Sequence, residues 1–286
     1  MKGCLNLLPR TDHLIDLALE EDAGLGDVTS RSIFAHGHRS AGWIEAREEL
    51  VLCGLEVAAR VFARADPRLV VKLRARDGDR VKKGARVLRV SGPTASLLTA
   101  ERTALNFLQR LSGIATLSRR FANTAVRLGV RIADTRKTTP GFRALEKYAV
   151  RCGGCHNHRS SLGEHVLVKD NHIAAAGSLA AAVRLARAGA PHLARIEVEA
   201  KTLAEVRQAV RAKAEVILLD NLSPAGIRAA VRAVAGAAII EVSGGIRLDS
   251  LREHALPGVD VISIGALTHS APAADLSLTL RTMRRR

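Results

Sequence analysis

Beyond residue 113 the chain repeats one pattern. A short apolar run ends on an ionisable or small residue and gives way to an Ala-rich stretch of helical period. The runs close on Asp134, Lys169, Glu199 (Ile196-Glu197-Val198-Glu199), Asp220 (Val216 to Asp220), Ser243 (Ile239 to Ser243) and Gly265 (Val261 to Gly265). Helices over Leu179 to Ala188 and Leu203 to Ala212 are among those between them. Such alternation predicts a parallel sheet, closed or nearly so, because each parallel return needs a crossover segment. About six strands fall short of the eight of a full barrel. An incomplete parallel α/β barrel is therefore expected over residues 114–271.

The first 113 residues read differently, as a small α+β, sandwich-like domain. Asp12 to Leu19 has helical spacing and leads through Glu20-Glu21-Asp22 into a turn-rich stretch ending at Ser30. Those carboxylates suit a solvated turn as well as a metal. From Gly42 come β-like pieces (Trp43 to Ala46, Leu50 to Gly54, Val70 to Leu73, Arg86 to Val90), with a helix over Gly54 to Phe62 between them. Asp77-Gly78-Asp79 and Lys83-Gly84 are turn signals. Leu97 to Ala115 predicts a long amphipathic helix with Arg102 and Arg110 on its polar faces.

The chemistry gathers between Ala133 and Ile173. An apolar run stops at Asp134 and turns into Arg136-Lys137; Thr139-Pro140 reads as the N-cap and first residue of a helix ending at Gly153-Gly154. Cys155-His156-Asn157-His158-Arg159 follows, then a second strand ending on Lys169-Asp170. In α/β barrels the active site lies at the C-terminal strand ends. Cations at this density suit an anionic ligand, since guanidinium holds carboxylate or phosphate in two-pronged fashion.

Composition narrows the partners. With 47% hydrophobic and 2% aromatic residues, the core must be aliphatic. The formal charge of +16 admits nucleic acid, an anionic membrane or small anions. Bases have almost no aromatic side chains to stack on, and no nucleic-acid-binding motif is visible, so nucleic acid is not expected. The terminal RTMRRR reads as a solvated charge cluster. No apolar run is long enough to span a bilayer, and Met1 to Leu8 is too short in its apolar part for a signal peptide. Cys4, Cys53, Cys152 and Cys155 are scattered and do not suggest a disulfide framework. A soluble cytoplasmic protein is expected.

Four further strand ends carry a chemical reading. Ser243-Gly244-Gly245 and Gly265 end consecutive late strands, where barrels often bind phosphate through backbone N–H groups that glycine leaves accessible. Glu199 and Asp220 end neighbouring strands and should face one mouth; an oxygen-only pair suits Mg²⁺. The competing reading is that one of them neutralises Lys169 or Arg136. Cys152-Gly153-Gly154-Cys155-His156 formally spells a haem-attachment motif, and His158 could add a zinc ligand. Covalent haem would need export and zinc a second ligand pair, so this motif is read as accidental.

The segments DTRKTTPG, LEKYAVRCGG, HNHR and VLVKDNHI, followed by LLDNLSP, SGGI and IGALTHS, resemble the quinolinate phosphoribosyltransferase family over nearly the whole chain. Cys155 stands where that family usually has Gly, and Ser160-Ser161 also depart from it. The resemblance implies transfer of phosphoribosyl from phosphoribosyl pyrophosphate to quinolinate, with decarboxylation. Quinolinate would be held by Arg136, Lys137, His158 and Arg159, and by Arg102 from a second subunit of a homodimer. Ser243, Gly244, Gly245 and Gly265 would hold the 5-phosphate. Glu199 and Asp220 would meet the ribose hydroxyls and Mg²⁺, and Lys169 the pyrophosphate or C1 region; Lys137, Lys169, Glu199 and Asp220 form the implied catalytic set. Residues 272–286 are expected to return to the first domain. Two other readings stand beside this one: a molybdenum-transport-associated paralogue, and a basic nucleic-acid-binding protein.

Overall fold

The structure, a computed structural model, describes residues 9–34 and 37–282. Cys4 with the apolar N-terminal run, and the end of the basic tail from Met283, lie outside the described residues. Two compact units emerge: Met1–Arg119 with Pro140–Gly154 and Ala271–Arg286, and Arg120–Thr139 with Cys155–Ser270.

In the first unit, β1 (Arg39–Ala46), β3 (Val70–Leu73), β5 (Arg86–Pro93) and β12 (Leu276–Thr282) form an antiparallel sheet in the order β12-β1-β5-β3. β2 (Leu50–Val51) and β4 (Arg80–Val81) form a small separate ladder. Alternation along β1 buries Ser40, Gly42, Ile44 and Ala46 on one face. The first helix, Pro9–Ala23, is longer than its spacing suggested. Asp27 caps the next one, its Oδ1 accepting the Ser30 N–H at 2.9 Å.

Two helices depart from expectation. The one expected to stop at Ala115 runs unbroken over Thr94–Leu128, so no element ends at residue 113. Gly113 lies inside it because the Pro272 carbonyl approaches so closely that a Cβ would sit 2.0 Å from that oxygen. The helix expected from Thr139-Pro140 begins instead at Arg143 and ends at Cys152. Gly141, at φ +78°, breaks the helical path first.

The second unit is the incomplete barrel. Its parallel strands are β6 (Arg131–Ala133), β7 (Val166–Val168), β8 (Ile196–Ala200), β9 (Val216–Asp220), β10 (Ile239–Ser243) and β11 (Val261–Ser263), in the order β6-β11-β10-β9-β8-β7. The ring is open between β6 and β7, where a bridge pairs Ala133 with His156. Strand alternation sorts the residues. Val198, Ile217, Leu219, Val242 and Ile262 are fully buried on one face, which packs on helices such as Leu179–Gly189 and Leu203–Arg211. Glu197, Glu199, Asp220, Glu241, Ser243 and Ser263 share the opposite, inner face. The inside of this barrel therefore carries a group of polar side chains, with Val216, Leu218 and Val261 among them.

Candidate active site

Asp134, just beyond β6 and fully buried, organises the loop that fills the gap in the ring. Its Oδ1 accepts the His158 N–H at 2.8 Å and its Oδ2 accepts the Asn157 side-chain N–H at 2.6 Å. His158, expected among the substrate-binding cations, turns both ring nitrogens to the protein. Nδ1 accepts the Arg159 backbone N–H at 2.8 Å, and Nε2 lies 3.1 Å from Glu197 Oε2 and 3.6 Å from Glu241 Oε1.

Arg159 is buried to 9% exposure and donates through Nη1 to the His165 carbonyl at 3.0 Å. Its Nε is buried without a partner, and so is that of Arg136. Burial holds the Arg159 pKa below its ordinary value, and the neighbouring Arg136 charge pushes it the same way. The Arg136 and Arg159 guanidinium groups, each with a buried Nε–H that no protein group accepts, form a site suited to an anion.

Lys169 Nζ donates to Glu199 Oε2 at 2.7 Å, which is the neutralising role weighed for one of the two carboxylates. Lys201 Nζ bonds Asp170 at 2.8 Å and lies 3.9 Å from Glu199 Oε1. Asp220, one strand over and half-buried, follows on the same inner face. Glu199 and Asp220 offer only oxygen donors, and Glu199 keeps one oxygen turned away from Lys169. This donor set fits Mg²⁺, which completes its shell with waters and substrate phosphates.

After β10, Gly244 and Gly245 adopt φ +107° and +60°. At Gly244 a Cβ would come within 2.2 Å of Asn221 Oδ1, so the backbone there is as close to its neighbour as glycine permits. Ser243 Oγ donates to the Ser263 carbonyl at 3.4 Å. Lys137 is exposed, but its side chain passes beside Gly265 and its carbonyl accepts the Thr268 hydroxyl at 2.7 Å. The second unit thus gathers Arg136, Lys137, His158, Arg159, Lys169, Glu199, Asp220, Ser243, Gly244, Gly245 and Gly265. Arg102 belongs to the first unit and is exposed.

Residues 27–112 match the model of the quinolinate phosphoribosyl transferase N-terminal domain, and residues 114–279 that of the C-terminal domain. The chain belongs to the quinolinate phosphoribosyltransferase family. A Bacillus subtilis relative named probable nicotinate-nucleotide pyrophosphorylase (carboxylating) is 43% identical, covering 90% of this chain and 89% of its own. A Nicotiana tabacum mitochondrial quinolinate phosphoribosyltransferase (decarboxylating) is 38% identical, covering 94% and 82%. The crystal structure of NadC from Streptococcus pyogenes superposes with a TM-score of 0.92 at 40% identity, covering 98% of this chain and all of its own.

Against this quinolinate phosphoribosyltransferase background, sequence reasoning missed four residues: Asp134 as the loop organiser, Glu197 and Glu241 inside the barrel, and Lys201 beside Glu199. A signal for Glu197 existed. In Ile196-Glu197-Val198-Glu199 strict alternation puts both glutamates on one face, and Glu241 in Ile239-Ile240-Glu241-Val242-Ser243 shares a face with Ser243. The cysteine motif dissolves in the fold. Among the described residues Cys152 groups with Cys53 and Asp77, whereas Cys155 and His156 join neither of the two clusters with metal-ligand spacing.

Proposed function

We propose that this protein transfers phosphoribosyl from phosphoribosyl pyrophosphate to quinolinate and releases CO₂, giving nicotinate mononucleotide and pyrophosphate for NAD biosynthesis. The carrying observation is the pairing of half-buried Arg136 with buried Arg159, each with a buried Nε–H that has no protein partner. A dicarboxylate with adjacent carboxyl groups matches two adjacent guanidinium forks. Family membership, and the names its relatives carry, supply the reaction.

On this reading Arg136, Arg159 and Lys137 neutralise the quinolinate carboxylates, with Arg102 contributed by a second subunit of a homodimer. The 5-phosphate lies on the Ser243-Gly244-Gly245 turn and Gly265. The pyridine nitrogen bonds to ribose C1 as the C1–O bond to pyrophosphate breaks, and Lys169 faces the departing charge. The ring nitrogen becomes cationic. The carboxylate on the adjacent carbon then leaves as CO₂, its bonding pair remaining on the ring carbon until a proton arrives. Glu199 and Asp220 would hold Mg²⁺, which when bound neutralises pyrophosphate oxygens. Catalysis rests on positioning and electrostatics, without a protein nucleophile. A cytoplasmic location belongs to the same reading; among the described residues no helix is long and apolar enough to cross a membrane.

The test is pyrophosphate release from phosphoribosyl pyrophosphate and Mg²⁺ with quinolinate or nicotinate. Release with quinolinate alone, matched by CO₂, is expected. Equal turnover of nicotinate would refute the two-carboxylate clamp, and no turnover from folded protein would return the paralogue and nucleic-acid readings.

A further inference from the structure

Beside Arg159 the barrel interior holds a cluster that the mechanism above does not use. His158, Glu197 and Glu241 each bring a ligand atom within 4.8 Å of the others, and the two glutamates are only 6% and 5% exposed. Their Oε1 atoms are buried without hydrogen-bond partners. One imidazole and two carboxylates could hold a divalent metal. The imidazole's own hydrogen bonds argue otherwise. Nδ1 accepts the Arg159 N–H at 2.8 Å, so Nδ1 carries a lone pair and no proton. A neutral ring then has its one proton on Nε2, facing Glu197 Oε2 at 3.1 Å. A protonated Nε2 has no lone pair for a metal. The same accounting leaves His158 without the positive charge that a carboxylate-binding role would want, since an imidazolium would set an N–H against the Arg159 N–H.

We propose that Glu197, acting through a neutral His158, is a positioning residue for Arg159. Glu197 accepts the Nε2–H and fixes the tautomer, and Nδ1 is thereby presented to the Arg159 backbone. The neighbouring peptide is fixed as well, because Asp134 Oδ1 accepts the His158 N–H at 2.8 Å. The Arg159 backbone is thus tied to both β6 and β8. Its guanidinium is anchored at the His165 carbonyl, so the direction of the unpartnered Nε depends on that backbone. Glu241 Oε1, at 3.6 Å, lies too far from Nε2 to share this role. The proposal rests on the carboxylate-clamp reading of Arg159.

The experiment compares Glu197→Ala and Glu197→Gln with the unaltered protein, in steady-state kinetics and in ¹⁵N NMR of histidine-labelled protein. Glu197→Ala should raise KM for quinolinate roughly tenfold, the consequence of one lost buried acceptor. KM for phosphoribosyl pyrophosphate and kcat should stay within about twofold. Glu197→Gln keeps an acceptor oxygen and should restore most of the quinolinate affinity; a general packing role would show neither the split nor the rescue. The spectrum, with His158→Asn assigning the signal, should show His158 as a pure Nε2–H tautomer, becoming mixed in Glu197→Ala. An imidazolium at His158 would overturn the proposal, as would stoichiometric metal that disappears with Glu197. Active protein whose quinolinate KM ignores Glu197→Ala overturns this proposal alone. Protein that turns over no quinolinate overturns the clamp beneath it. If Glu197→Ala does not fold, Glu197→Gln and the spectrum of the unaltered protein still decide the tautomer.

Discussion

Replacing Arg159 by alanine separates binding from stability, because the structure predicts a large loss in the first and little change in the second. With quinolinate bound, the buried guanidinium supplies charge-assisted hydrogen bonds worth about 1.5–3 kcal/mol each. Loss of one lowers kcat/KM for quinolinate roughly tenfold, and loss of a two-pronged contact more than a hundredfold. In the free protein the same group is a liability. It is 9% exposed, stands beside the Arg136 charge, and leaves its Nε unused. Its removal forfeits the bond to the His165 carbonyl, at roughly 1–3 kcal/mol, but also relieves a desolvated cation of its like-charged neighbour. The two effects offset, so stability should change by no more than about 1 kcal/mol and Tm by a few degrees. Pyrophosphate release at saturating phosphoribosyl pyrophosphate and graded quinolinate gives the first quantity, and thermal unfolding of the unliganded protein gives the second. A Tm drop of more than about 10 °C would make Arg159 a structural residue. An unchanged kcat/KM in a folded variant would refute the clamp outright.

Burial, with Glu197 nearby, pushes the Glu241 carboxyl up to about 7 from an ordinary 4.5. A raised folded-state pKa means its contribution to stability is full below about pH 4.5 and lost as pH rises through about 7. Glu241→Gln should remove that loss, which is on the order of 3 kcal/mol, and be the more stable protein at pH 8 but not at pH 4.5; parallel denaturant titrations with superimposable pH profiles would contradict this. Gly244→Ala meets both a φ of +107° and an Asn221 Oδ1 at 2.2 Å, and strain of about 1–3 kcal/mol should raise KM for phosphoribosyl pyrophosphate at least fivefold, roughly, with quinolinate affinity less affected. The Cys152 thiol is held below its ordinary pKa, chiefly by a hydrogen bond from Cys53, whereas burial pushes Cys53 well above. Brief alkylation at pH 8 followed by peptide mass spectrometry should therefore label Cys152 well before Cys53, and equal labelling would count against the assignment.

The residues that stand at strand ends were legible from order alone. An apolar run has to stop where a charge begins, and parallel strands bring their C-terminal ends to one side. Arg136, Lys169, Glu199, Asp220, Ser243 and Gly265 could therefore be named before any coordinates, and so could the count of barrel strands. Element boundaries were less legible. The helix expected to stop at Ala115 runs on to Leu128, and the use of Gly113 inside it shows only when Pro272, far along the chain, is seen to occupy the space of its missing side chain.

Sequence by itself determined the period of each segment, the polarity of each strand end, the cationic inventory and, through the motifs, the family. Tertiary structure decided which of those groups face one another. It set Lys169 on Glu199, brought the buried Nε–H groups of Arg136 and Arg159 into one site, and put Glu197 within hydrogen-bonding reach of His158 with Glu241 just beyond it. Alternation fixes the face on which a glutamate lies but carries no information about what stands opposite it across a barrel. That partner comes from a strand tens of residues away, and its distance decides whether a charge is paired, shares a proton or waits for a ligand.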